Sequence, residues 1–272
     1  MRFLQVFLSL LFVIMSGLFL FFFIEERRNI DNTIPLISVP EGELKIKCDA
    51  EPEKLLENVT AFDEKDGDLT DKLIVESVSR FTEKGTCVVT YAVCDSDHHV
   101  TTAKRTVTYK DYKSPKFKLK KNPVFSAQGN IRLREYLTVS DKLDGDLTDS
   151  IILTVEDYEK GSTGLFYSVA QVTNSKGDTV RLRLPFIVED IPDDALRVHL
   201  KSYLTYVKKG KSVSFKDNLD KVEAADGAAV QSETQIQTEF DADKVGTYLV
   251  HYYATDRAGH KGHAVQIVVV EG

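Results

Sequence analysis

Two clusters of aspartate offer the most conspicuous chemistry in this chain. Asp63, Asp66, Asp68 and Asp71 form one, with Asp95 and Asp97 further along, and Asp141, Asp144, Asp146 and Asp149 form the other. Closely spaced carboxylates are the ligand type that a hard cation such as calcium takes. The spacing is not that of an EF-hand loop, because Ser77 and Val155 stand eleven residues after Asp66 and Asp144, where a bidentate Glu is needed. Each cluster contains the hexapeptide Asp-Gly-Asp-Leu-Thr-Asp, at Asp66–Asp71 and Asp144–Asp149. Asp-Gly-Asp also makes a tight turn, and the Thr and Asp that follow can cap a short helical turn through side-chain to backbone bonds. The expectation is the turn, with calcium as the competing reading and no other cofactor implied.

The remaining polar groups read more simply. His251, His260 and His263 fall in the last pair of alternating segments. If that pair turns at Arg257–Gly259, His251 faces Val265 or Ile267 and not His263, so the imidazoles are not expected to converge on a metal. His98 and His99 are expected at a solvated turn. Lys116, Lys118, Lys120 and Lys121 interleave with Phe117 and Leu119, which puts lysines on one face of an edge strand, where they discourage edge-to-edge pairing. A contact with a polyanion such as a cell-wall polymer is the functional alternative. Cys87 and Cys94 lie seven residues apart in one predicted strand, roughly 23 Å at ~3.3 Å per residue, and cannot bridge each other; Cys48 could pair with either. The sequence contains no Gly-x-Ser-x-Gly elbow, phosphate-binding Gly loop, His-Glu-x-x-His or Cys-x-x-Cys. No enzyme activity is expected.

The elements that carry these residues repeat. The two hexapeptides are 78 residues apart, and each precedes a glycine-led run of alternating residues, Gly85–Asp95 and Gly164–Asn174. A third such run, Gly246–Asp256, follows, where only Asp226-Gly227 remains of the hexapeptide. Offsets of 79 and 82 between the runs make the chain three copies of one unit. In the first run Cys87, Val89, Tyr91 and Val93 share one face, the period of a half-buried strand, and Tyr248, Val250, Tyr252 and Ala254 repeat the phase. Each run closes on Asp95, Asn174 or Asp256 and leads through a tight hairpin into a returning strand.

Ahead of the repeats, residues 3–24 carry no charge and are long enough to cross a ~30 Å hydrocarbon layer. The apolar run enters Glu25-Glu26-Arg27-Arg28 without a small-residue cleavage site, which favours an uncleaved anchor. The flanking Lys and Arg give no clear positive-inside bias. Pro and charge cluster at 110–115 and 189–194, so the expected organisation is an anchor and juxtamembrane linker at 1–35 and units at 36–113, 114–190 and 191–272. Residues 25–113 carry 13 basic and 19 acidic side chains and 114–190 carry 11 of each, so no basic patch exists and no nucleic-acid partner is expected.

Asp-Gly-Asp-Leu-Thr, then Gly-Thr-x-x-Val-x-Tyr-x-x-x-Asp, then a Val- and Thr-rich return resembles the bacterial immunoglobulin-like repeat of surface proteins and some pesticidal crystal proteins. The resemblance covers about 235 residues and weakens along the chain. It implies an all-β protein of three tandem immunoglobulin-like sandwiches, seven-stranded, behind a transmembrane helix. It also implies a non-catalytic surface spacer or adhesion rod, held in the cell membrane by one pass with its C-terminal domains extracellular. The alternative is a ligand-binding module for a protein or carbohydrate of a bacterial surface complex. The absence of Trp leaves only Tyr and Phe as sugar platforms.

Overall fold

The structure is a computed structural model that describes residues 2–29 and 33–272, so part of the expected 1–35 anchor and linker lies outside the described residues. It divides into two compact units, Met1–Lys110 and Asp111–Gly272.

The first unit opens with helix α1 (Arg2–Asn29). Its stretch Phe3–Glu25 is long and apolar enough to cross a membrane by length and composition, and its apolar side chains are exposed throughout. Seven strands follow: β1 (Leu36–Ser38), β2 (Leu44–Ile46), β3 (Thr60–Asp63), β4 (Gly67–Asp68), β5 (Ile74–Val78), β6 (Thr86–Cys94) and β7 (Val100–Tyr109). They form two sheets, β1-β3-β4 and β2-β7-β6-β5. The alternation in β6 puts Cys87, Val89, Tyr91 and Val93 in the core between the sheets, where each is at most 2% exposed. Burying one such apolar side chain stabilises the fold by roughly 1.5–3 kcal/mol relative to leaving it in water.

The second unit holds two further sheet pairs. The earlier contains β8 (Lys116–Leu119), β9 (Val124–Ser126), the short helix α2 (Leu133–Tyr136), β10 (Leu137–Asp141), β11 (Gly145–Asp146), β12 (Ile152–Glu156), β13 (Gly164–Thr173) and β14 (Thr179–Glu189). Its sheets are β11-β10-β8 and β12-β13-β14-β9, again seven strands. The later contains β15 (Arg197–Leu200), β16 (Leu204–Lys208), β17 (Leu219–Glu223), β18 (Ser232–Thr238), β19 (Gly246–Asp256) and β20 (Lys261–Glu271), arranged as β15-β17 and β16-β20-β19-β18. This copy has six strands, because the two-residue strand that each hexapeptide supplies as β4 or β11 has shrunk to an isolated bridge, Glu223 to Ala229. The chain is thus all-β, three immunoglobulin-like sandwiches behind an apolar helix.

A second difference between copies lies in the core. The Tyr91 hydroxyl donates to the Leu55 carbonyl at 2.7 Å, and the Tyr252 hydroxyl donates to the Phe215 carbonyl at 3.0 Å. The middle copy has Ala170 at that position and instead buries Leu133 from α2. The middle and last sandwiches share one continuous apolar cluster running from Phe117 to Val268.

Candidate functional site

The acidic clusters form turns. Asp63 is 2% exposed, and its Oδ1 accepts the backbone N–H groups of Lys65 at 2.9 Å and Asp66 at 3.0 Å. Asp66 accepts the Ser96 N–H at 2.6 Å and hydroxyl at 2.8 Å, and these bonds hold its carboxyl below the usual range. Asp68 accepts the Thr70 N–H at 2.9 Å, while the Thr70 hydroxyl accepts from Ala61 N–H at 3.2 Å. The second copy repeats each bond: Asp141 with Leu143 and Asp144, Asp144 with Ser175, Asp146 with Thr148, and Thr148 with Val139. Gly67 and Gly145 sit at φ +76° and +75°, the left-handed geometry that makes Gly the natural residue between the aspartates. Asp68 and Asp146, not Asp71 and Asp149, therefore hold the following 3-10 turns, and Asp71 and Asp149 are exposed. Among the described residues no group of three or more His, Cys, Asp or Glu is arranged to hold a metal ion.

The hairpin tips follow the same logic. Asp95 accepts the His99 N–H at 2.7 Å and contacts its Nδ1 at 2.8 Å, and Asp256 does the same with His260 at 2.9 and 2.8 Å. His99 thus closes its turn with hydrogen bonds to Asp95 and is not simply solvated. His98 takes φ 70° beside it. Asp97 is engaged by Lys65 at 2.6 Å. No disulfide joins Cys48, Cys87 or Cys94.

The histidines of the last hairpin depart from expectation. His251 does pair with Val265 across β19 and β20, but His251 Nδ1 lies 3.0 Å from His263 Nε2. The register was read correctly; the diagonal was not. His263 pairs with Tyr253, two residues from His251 on the same face, and diagonal neighbours remain within reach of ring side chains. Tyr253 lies parallel to His263 at a ring separation of 4.5 Å. On its other side His263 Nδ1 meets Glu189 Oε2 at 2.9 Å, so the last residue of β14 is tied to the following sandwich. The His263 side chain is 10% exposed.

Asn122, between β8 and β9, completes this seam. Its amide donates to the His263 carbonyl at 2.9 Å and accepts the Val265 N–H at 3.0 Å, which imitates a strand partner along the free edge of β20 ahead of its pairing with β16. Gly262 is needed alongside, because a Cβ there would stand 2.3 Å from the Leu196 carbonyl oxygen. Beside the seam runs a groove of about 890 Å³ lined by Lys120, Lys121, Arg197, Lys261, Tyr253 and His263, with Glu189, Asp190 and Asp193 among its acids. The lysine row of β8 is divided. Lys116 binds Glu271 at 3.1 Å and lies over the Tyr206 ring, whose hydroxyl burial pushes up to about 12, whereas Lys120 and Lys121 border the groove. β8 is indeed an edge strand, but Lys116 is drawn into the seam and not left to guard the edge.

Glu189, Asn122 and Tyr253 were not legible as site residues. Glu189 lies in an acidic linker 74 residues from His263, and Asn122 in a loop 141 residues from it. The only local signal was the pair of imidazoles itself.

No family model matches the chain. An uncharacterized 81.3 kDa protein of Acholeplasma phage L2 is 28% identical over 138 residues, covering 48% of this chain and 18% of that protein, so the chain spans less than a fifth of its length. Among solved structures, the M60 catalytic domain with the CBM51-1 and CBM51-2 domains from Clostridium perfringens ZmpB is 16% identical, covering 89% of this chain and 31% of that one at a TM-score of 0.24. Drosophila N-cadherin EC1-4 is 10% identical, covering 89% and 76% at a TM-score of 0.24. Likenesses this loose carry no functional information.

Proposed function

We propose that this is a membrane-anchored, extracellular, non-catalytic protein of the bacterial immunoglobulin-like repeat type, whose sandwiches act as a spacer or adhesion module. The observation that carries the reading is the exposed apolar helix followed by three copies of one sandwich. An apolar stretch of that length whose side chains are exposed is stable when lipid covers it. Most of the polar groups that suggested chemistry have a structural use: Asp63, Asp66 and Asp68 and their counterparts in turns, His99 and His260 at hairpin tips, and His251 and His263 in a seam. In intact spheroplasts added protease should digest the chain after the helix while residues 3–24 stay with the membrane. Full protection of residues 25–272 would overturn the orientation, and release of the sandwiches without protease would overturn the anchor.

A second reading, a ligand-binding module for a carbohydrate or protein, is favoured by one observation. The Tyr253 ring is 38% exposed at the mouth of a groove that holds both basic and acidic side chains. An aromatic face with polar groups around it is the pattern of a small-ligand site. Binding on a glycan array that Tyr253→Ala abolishes would select this reading, and binding indifferent to that change would reject it.

A further inference from the structure

We propose that the Glu189–His263–His251 chain is a proton-sensitive row: near neutral pH it ties β19 and β20 of the last sandwich to each other and to Glu189 of the middle one, and it comes apart at its His263–His251 bond when both imidazoles are charged. This goes beyond the spacer reading and does not depend on the groove having a ligand.

The geometry is that of an in-line hydrogen-bonded row. The two imidazole planes differ by 10°, and their centres are 5.2 Å apart while the facing nitrogens are 3.0 Å apart, so the rings meet edge to edge. One proton between Glu189 and His263 Nδ1 and one between His263 Nε2 and His251 Nδ1 satisfy the row, and a third can be carried as an imidazolium on His263 facing the carboxylate. With both rings charged, two N–H groups point at each other across 3.0 Å, and the second bond cannot survive.

The surroundings decide how the row titrates. Among the described residues, those within bonding reach are Glu189 from β14 and Tyr253 from β19, whose hydroxyl is 3.4 Å from His251 Nδ1. On one side lie Tyr167 from β13, Glu239 after β18 and Tyr248 from β19, and the Arg183 guanidinium of β14 covers Tyr167 at 3.6 Å. On the other lie Lys120 and Lys121 before β9, Lys261 of β20, Arg197 and His199 of β15, Tyr203, and Asp190 and Asp193 of the connecting segment. Burial, and then the facing His263, hold the His251 imidazole below its ordinary range, and the Glu189 charge opposes this more weakly. The unfolded chain therefore takes up a proton near pH ~6.5 that the folded seam resists. The stability from neutral His251 is complete above that pH and is lost as pH falls below it. His260, raised by its hydrogen bond to Asp256, acts in the opposite sense: its contribution is present at low pH and lost as pH rises through the raised value. A variant comparison separates the two.

The test uses the full chain in detergent micelles with ¹³C-labelled histidine, six residues in all. His251 should titrate below the ordinary imidazole range, and its signal should sense the ring it faces. A His251 curve at the ordinary value would overturn the proposal, and this readout needs no variant to fold. Between pH 7.5 and 5.5 the melting temperature of the Asp111–Gly272 unit should fall by ~2–4 °C more in the wild type than in His251→Phe. The same pH slope in both proteins would also overturn it.

Discussion

The Asp63–Asp71 turn and the His251–His263 seam both gather titratable side chains, yet they put them to different uses. In the turn the bonds from backbone N–H groups to Asp63, Asp68 and Thr70 span two to nine residues, whereas Asp66 accepts from Ser96 and Asp63 Oδ2 accepts from the Thr33 hydroxyl, each across 30 residues. In the seam the bonds that join the two sandwiches span 74 to 155 residues, from Glu189–His263 to Lys116–Glu271, while His251–His263 spans 12 within the last sandwich. Local matching gives Asp63 and Asp68 a structural use, because each already accepts N–H groups beside it. Long-range matching builds a half-buried polar row whose charge depends on its neighbours, and such a row responds to conditions that a turn ignores.

The largest expected effect is at the seam. Gly262→Ala forces a Cβ against the Leu196 carbonyl and should destabilise the Asp111–Gly272 unit by about 3 kcal/mol, measured as a loss of chemical-denaturation midpoint; a near-neutral change would mean that β20 and the segment just before β15 approach less closely. Asn122→Ala comes next. It strips the partner from the Val265 N–H, a residue with 0% exposure, and should cost about 2 kcal/mol in the same unit while leaving Met1–Lys110 unchanged.

In the turn, Asp63→Ala orphans two backbone donors and should cost about 1–2 kcal/mol in the first unit. Asp63→Asn keeps the oxygen acceptor and should fold nearly as well as the wild type. Equal losses from both substitutions would mean that the charge, and not the acceptor, is what Asp63 supplies. The smallest effect is that of calcium. A site filled at a hundredfold excess over its dissociation constant gains about 2.7 kcal/mol, whereas screening of surface acids should move either unit by no more than ~2 °C. A shift several times larger, confined to the sandwiches that carry the hexapeptide, would return the aspartates to metal chemistry.

Much of this organisation was legible in the residues. The alternation in Gly85–Asp95 placed Cys87, Val89, Tyr91 and Val93 in the core, because a strand with one buried face imposes that period on its sequence. The loss of the hexapeptide from the last copy was visible, but the expectation was seven strands in each sandwich and the last copy has six. The head-to-head imidazoles were not legible, since pairing rules give the residue directly opposite and His263 sits on the diagonal. Glu189 and Asn122 were further out of reach, because their roles arise only when one sandwich meets the next.

The most direct test of the claim that the responsive chemistry lies in the seam and not in the acidic turns is hydrogen exchange read by mass spectrometry on the full chain at pH 7.5 and 5.5, corrected for the intrinsic pH dependence of exchange. Protection should fall at the lower pH in peptides covering 119–126 and 260–267, with the Val265 amide among them, while peptides covering 60–71 and 138–149 keep theirs. Loss of protection at the acidic turns with the seam unchanged, or no loss anywhere, would contradict it.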